Sequence, residues 1–275
     1  MKNRLLVAIT IALTAMPAVA NGMSEGWGGT PSRGAARQVG VSDGSRESSQ
    51  PRNWDSKATQ QTDKKAEALQ KYLEAKKLDE AGNYTGAVDA YKDAISLDPT
   101  SAELKVALGS LYLKNRNFID GESQAKEAIK LAPDSADARK LLASVYVTQT
   151  FVGTSIDKPK AESAIKELEE VVKTSSGAKI QLGDQEVPAL AVIGEIYIKM
   201  GDNDKALDAF KRLAKTDAGA DKALLTLAGL YYQMNKFQEA ADTARLAYAK
   251  SPSPQVAALL AKALVRTGQT QEALD

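Results

Sequence analysis

Leu108-Gly109-Ser110-Leu111-Tyr112 recurs in the chain as Leu142-Ala143-Ser144-Val145-Tyr146, Ile193-Gly194-Glu195-Ile196-Tyr197 and Leu227-Ala228-Gly229-Leu230-Tyr231. The shared template is aliphatic, small, variable, aliphatic, Tyr, and four copies of it mark an internal repeat. A second small residue stands nine positions after the Tyr in three copies, at Gly121, Ala206 and Ala240, and two degenerate copies keep the same interval from Leu78 to Ala87 and from Leu264 to Ala273. Six units follow. Around them the apolar residues recur with helical period: Ala87, Tyr91, Ala94 and Ile95 share one stripe, and an isolated helix of ~14 residues is marginal in water unless such a stripe is covered. Gly82-Asn83 and Gly201-Asp202 supply turn residues between paired helices.

These motifs resemble the tetratricopeptide repeat, a helix-turn-helix unit of ~34 residues. Tyr112 and Tyr146 are 34 apart, as are Tyr197 and Tyr231, and Pro99 and Pro133 close successive second helices at the same interval. The family's small residue, which lets the two helices of a unit approach, is matched by Gly109, Ala143, Gly194 and Ala228, with Ala75 and Ala261 in the end units. Its second-helix aromatic is matched by Tyr91 and Phe210, but Ala125, Leu168 and Ala244 stand in the equivalent places; Pro252 matches the closing proline, which is missing after units three and four. The resemblance implies an all-α fold, a right-handed superhelical solenoid of antiparallel helix pairs with a concave inner face. It spans residues 66–275, with units near 68–101, 102–135, 136–186, 187–220, 221–253 and an incomplete 254–275.

Unit three breaks the period. Tyr146 and Tyr197 are 51 apart, and the excess falls in two insertions, within residues 148–160 and 175–187. The first contains Phe151, Val152, Gly153 and Pro159; the second reads as a small hairpin, with Lys179-Ile180-Gln181-Leu182 and Gln185-Glu186-Val187 around Gly183-Asp184. Long loops on a regular scaffold often carry function, although solenoids also tolerate neutral changes of loop length.

Ahead of the repeats, Lys2 and Arg4 precede an uncharged apolar run over residues 5–15, and Ala18-Val19-Ala20 supplies small residues before a cut after Ala20. That is the layout of a secretory signal peptide over residues 1–20, the alternative being an uncleaved membrane anchor. Residues 21–65 are expected to form a disordered Gly/Ser-rich linker, since 21–68 contains no Leu, Ile, Phe or Tyr. Both tryptophans, Trp27 and Trp54, lie in it, as docking motifs or as isolated tail aromatics. No later run has the length and lack of charge of a transmembrane helix. An exported chain without Cys points to a bacterial periplasm.

The chain's 275 residues include no Cys and no His, which removes thiolate and imidazole nucleophiles, bases and metal ligands together. With 36 basic against 35 acidic residues, nothing suggests nucleic-acid binding through a basic face. Three Ser-x-x-Lys matches, Ser123/Lys126, Ser163/Lys166 and Ser176/Lys179, lack the companion motifs of serine acylases. Glu167, Glu169 and Glu170 read as a solvated helix face, and Asn83-Tyr84-Thr85 as a glycosylation acceptor only in a glycosylating host. No catalytic residue, cofactor or metal is expected.

What remains is recognition of other proteins or peptide segments of the cell envelope. In proteins of the resembling family partners lie along the first helix of each unit. Carried over, that arrangement places Val106, Ser110, Leu113, Lys140, Ser144, Val147, Glu195, Ile198, Leu225 and Tyr232 on the inner wall. Some family members clamp a partner's terminal carboxylate with Lys and Asn; here Tyr72 with Lys76 and Val106 with Ser110 occupy those places, so no such clamp is expected. The reading is a non-catalytic exported adaptor. The alternative is an interaction segment of a larger envelope enzyme or assembly factor, because Asp275 falls just after Ala273, inside the last unit's second helix.

Overall fold

The structure, a computed structural model, describes residues 54–150, 155–175, 177–216 and 219–274. Among them the helices are α1 (Trp54–Glu80), α2 (Tyr84–Leu97), α3 (Ala102–Lys114), α4 (Phe118–Leu131), α5 (Ala136–Thr150) and α6 (Lys158–Thr174). After a hairpin of β1 (Lys179–Leu182) and β2 (Gln185–Pro188) come α7 (Ala189–Met200), α8 (Asn203–Ala214), α9 (Ala220–Gln233), α10 (Phe237–Lys250), α11 (Pro254–Arg266) and α12 (Thr270–Leu274). Each odd helix packs on the even helix that follows it, and each even helix on the next odd one, so neighbouring units stack. The expected signal peptide and the linker as far as residue 53 lie outside the described residues, as do Phe151, Val152 and Gly153.

The boundaries follow local chemistry. Side chains of Asn83, Asn117 and Asp202 accept hydrogen bonds from the first-turn amides of α2, α4 and α8, and Ser101 and Ser253 do the same for α3 and α11. The residue before each of the first three caps is left-handed: Gly82 at φ 75°, Arg116 at 60° and Gly201 at 82°. Arg116 adopts that conformation without glycine's freedom, at a cost of roughly 1 kcal/mol. One boundary differs from the composition reading. α1 begins at Trp54, inside the stretch assigned to the linker. Residues 54–80 contain neither Gly nor Pro, so nothing interrupts a helix that the apolar contacts of Ala68, Tyr72 and Ala75 anchor downstream.

The core is a string of clusters between helix layers. The largest runs from Ala125 on α4 to Leu230 on α9, with smaller ones around Tyr91 and around Ala240. The position of the second-helix aromatic is buried whatever fills it: Tyr91, Ala125, Leu168, Phe210 and Ala244 are all at most 5% exposed. Close approach sets the partner's size. A Cβ on Gly194 would collide with the Phe210 ring, 2.7 Å from Cζ and 2.8 Å from Cδ2.

Polar side chains tie unit three to its neighbours. Glu122 of α4 accepts hydrogen bonds from Lys126 at 2.7 Å, Tyr146 of α5 at 3.1 Å and Lys160 of α6 at 3.2 Å. Burial pushes its carboxyl up, but the hydrogen bonds from Lys126 and Lys160 outweigh that and hold it below its ordinary 4.5. A depressed carboxyl stabilises the fold above the unfolded pKa, and the contribution is lost as pH falls through the folded pKa. Wild type should therefore lose about 1 kcal/mol relative to Glu122→Gln on acidification below pH 4.5. Parallel urea titrations at pH 7 and pH 3.5 check this; an unchanged difference between the two chains rules it out.

Candidate functional site

The first helices present three residue positions to one face, and the repeat puts them in rows. The upper row is Val106 on α3, Lys140 on α5 and Leu225 on α9; the middle row is Ser110, Ser144, Glu195 on α7 and Gly229; the lower row is Leu113, Val147, Ile198 and Tyr232. If every unit were alike, exposure would be constant along a row. It is not. In the middle row Ser110 is exposed, and a Cβ added to Gly229 would meet nothing within 4 Å, whereas Ser144 is 2% exposed. In the lower row Leu113, Ile198 and Tyr232 are half-buried, while Val147 is 2% exposed.

The second insertion accounts for the difference. It folds as the antiparallel pair β1–β2, with Ile180 opposite Val187 and a two-residue turn at Gly183-Asp184. Gly183 takes φ 60°, which glycine adopts without strain at the first position of such a turn. β1 packs against α5, and Ile180, 1% exposed, joins the main cluster that also holds Val147. Every residue from 141 to 147 is buried, Ser144 and Val147 included, on the helix that β1 packs against. Ser144 and Val147, expected on the inner wall, are therefore core residues out of a partner's reach. The first insertion also lengthens α6, which begins with an Asp157 cap and Pro159 in its first turn and buries Ala161 ahead of Ala164.

On α5 only Lys140 of the expected positions stays accessible, paired with Asp137 at 3.0 Å, and the other accessible positions fall into two groups, on α3 and on α7 and α9. On α3, Val106, Ser110 and Leu113 remain, with Val106 and Leu113 half-embedded in the main cluster. Beyond the hairpin lie Glu195 and Ile198 on α7, and Leu225 and Tyr232 on α9. Tyr232 is held edge-on by Phe237, ring centroids 5.3 Å apart, and Arg266 covers Phe237 at 3.9 Å. Beside Tyr232 a recess of about 320 Å³ is lined by Ala261, Val265 and Ala273 with Lys262 and Arg266; Val265, 55% exposed, was not among the expected wall residues. Burial raises the Glu195 carboxyl above its ordinary range, and Lys199 one turn on does not offset this.

A second recess of about 330 Å³ lies against Tyr197 and Ala209, but its Glu169, Lys205 and Arg212 are already paired. Arg212 grips Glu169 with two hydrogen bonds of 2.8 Å, and Lys205 pairs with Asp202 at 2.8 Å. It is a structural joint between α6 and α8. Among the described residues no group of three Asp, Glu, His or Cys side chains is placed to hold a metal, and no helix is long and apolar enough to cross a membrane. Lys76, in the expected clamp region, lies exposed at 6.0 Å from the Tyr72 ring.

Paired helices, stacked unit on unit with a small residue at the same place on the first helix of each unit, define a helical repeat protein. Residues 78–145 and 197–263 match the tetratricopeptide repeat family, and the chain carries these repeats as stacked helix pairs. Solved structures share the fold. A crystal structure of MamA protein is 22% identical, with 66% of this chain and 91% of that chain covered, at a TM-score of 0.54. A tetratricopeptide repeat protein from Parabacteroides merdae gives 15% identity, 75% and 76% coverage and a TM-score of 0.53. YrrB, described as a tetratricopeptide repeat protein with an unusual peptide-binding site, gives 17%, 78% and 97%, and 0.51. No curated protein matched the sequence.

Proposed function

We propose that the chain is an exported, non-catalytic adaptor that holds peptide segments of envelope proteins on the inner faces of its first helices. The observation carrying this is the half-buried apolar row Leu113, Ile198 and Tyr232, left accessible on α3, α7 and α9. Such side chains are ordered by their own packing and still offer area to a partner, the arrangement that suits anchor residues of an extended or helical segment. The peptide-binding site described for YrrB supports the reading by likeness of fold. Export rests on Lys2, Arg4, the apolar run that follows and Ala18-Val19-Ala20, and the absence of Cys suits a bacterial periplasm.

Selection from a displayed library of random 12-residue peptides tests the binding. Peptides enriched on the wild-type chain should be lost, by tenfold or more in affinity, from Ile198→Glu or from Leu113→Glu, with unchanged far-UV circular dichroism. Because the buried Ser144 and Val147 of α5 separate the two groups, each substitution should remove its own set of peptides. Selection that enriches nothing, or enriched peptides indifferent to both changes, would sink the groove. For export, the chain recovered from the periplasm should have a mass beginning at Asn21; a mass retaining Met1 would count against cleavage.

A further inference from the structure

The middle row of the inner face supplies a charge that the fold leaves unpaired. Its α3 and α9 members, Ser110 and Gly229, face open space, and its α5 member lies in the core. α7 puts Glu195 at this position, next to Ile198 in the row below. Sheltered carboxylates elsewhere in the stack are paired across helices: Glu122 with Lys160, Glu167 with Arg139, Glu169 with Arg212. Glu195 is half-buried, yet it makes no hydrogen bond or ion pair among the described residues, and the nearby cation, Lys199, is exposed one turn away. A carboxylate partly withdrawn from water without a counter-charge is costly, and an incoming cation recovers that cost in a charge-assisted hydrogen bond.

Resting on the peptide-binding reading, we propose that the α7–α9 face takes a segment with a Lys or Arg set among apolar residues, its cation on Glu195 and its apolar neighbours on Ile198 and Tyr232. Charge complementarity selects this occupant over an acidic segment, which Glu195 repels, and over a purely apolar one, which leaves the carboxylate further desolvated and unpaired.

Three pools of fluorescein-labelled 12-residue peptides test it, each random in Leu, Tyr, Ser and Gly and differing only in a central Arg, Glu or norleucine. Titrated with the full chain and followed by anisotropy in 50 mM salt, the Arg pool should bind about tenfold more tightly than the Glu pool. Glu195→Gln should erase that preference, Glu195→Lys should invert it, and 500 mM salt should shrink it. Equal binding of the Arg and Glu pools, or a preference that survives Glu195→Gln, overturns the assignment. If the pools bind alike and Ile198→Glu releases them, the apolar face stands and Glu195 alone is excluded. If no pool binds, peptide binding fails on this face and the assignment with it. A dimer in sedimentation that Ile198→Glu dissociates, with no pool bound, gives the face to a second copy and equally overturns it.

Discussion

Replacing Ile180 by Ala is expected to lower the unfolding free energy by about 3 kcal/mol, the range for truncating a fully buried aliphatic residue. Ile180 sits on a four-residue strand of an insertion, where loop variation would ordinarily cost little, but it is 1% exposed inside the main cluster. Ile119, 82% exposed on α4, is the matched control: its change to Ala should stay within about 0.5 kcal/mol. Urea titration followed at 222 nm reads both. The chain's lack of Cys allows a second, local readout. A lone thiol at Ser110→Cys should react with an aromatic disulfide reagent freely, and one at Ser144→Cys roughly a hundredfold more slowly, since Ser144 is 2% exposed on the helix that β1 packs against. Adding Ile180→Ala should speed labelling at 144 and leave 110 alone. Equal rates at the two positions would show that the hairpin does not cover α5.

The second large effect concerns the fit between α7 and α8. In an exposed helix Gly→Ala is favourable by about 1 kcal/mol. At Gly194 the added Cβ meets the Phe210 ring inside contact distance, so Gly194→Ala should instead destabilise by about 2 kcal/mol. Phe210→Leu alone costs about 1 kcal/mol through its cavity, and in that background the Gly194→Ala penalty should vanish, a coupling of more than 1 kcal/mol in a double-mutant cycle. Gly229→Ala, with nothing within 4 Å of the new atom, should stabilise the chain. If Gly194→Ala and Gly229→Ala shift the urea midpoint alike, the close packing at Phe210 is refuted. The same trade operates elsewhere with smaller pieces: α9 and α10 set Ala228 and Ala244 at the equivalent places, both at 0% exposure.

Much of the fold was legible because its determinants are local. The small-residue and aromatic positions, the Asn and Asp caps and the left-handed turn residues all act within a few residues, and a 34-residue period repeats them until the pattern is unmistakable. The hairpin was readable too, from β-compatible residues around Gly183-Asp184. The start of α1 was not: a polar stretch with few apolar residues looks unstructured by composition, yet it extends a helix anchored by packing further along.

The site was legible only as a register. Spacing makes Ser110, Ser144 and Gly229 equivalent, and Leu113, Val147 and Tyr232 equivalent, because it reports where a residue falls on its helix. Whether that position meets solvent depends on a segment distant in sequence: Ile180 lies 36 residues after Ser144 and closes the face of α5. The sequence by itself thus determined the paired helices, their turns and the row on which each wall residue stands. The tertiary structure alone decided that the wall is interrupted at α5 and open at α3, α7 and α9, since burial is set by non-local packing that no period encodes.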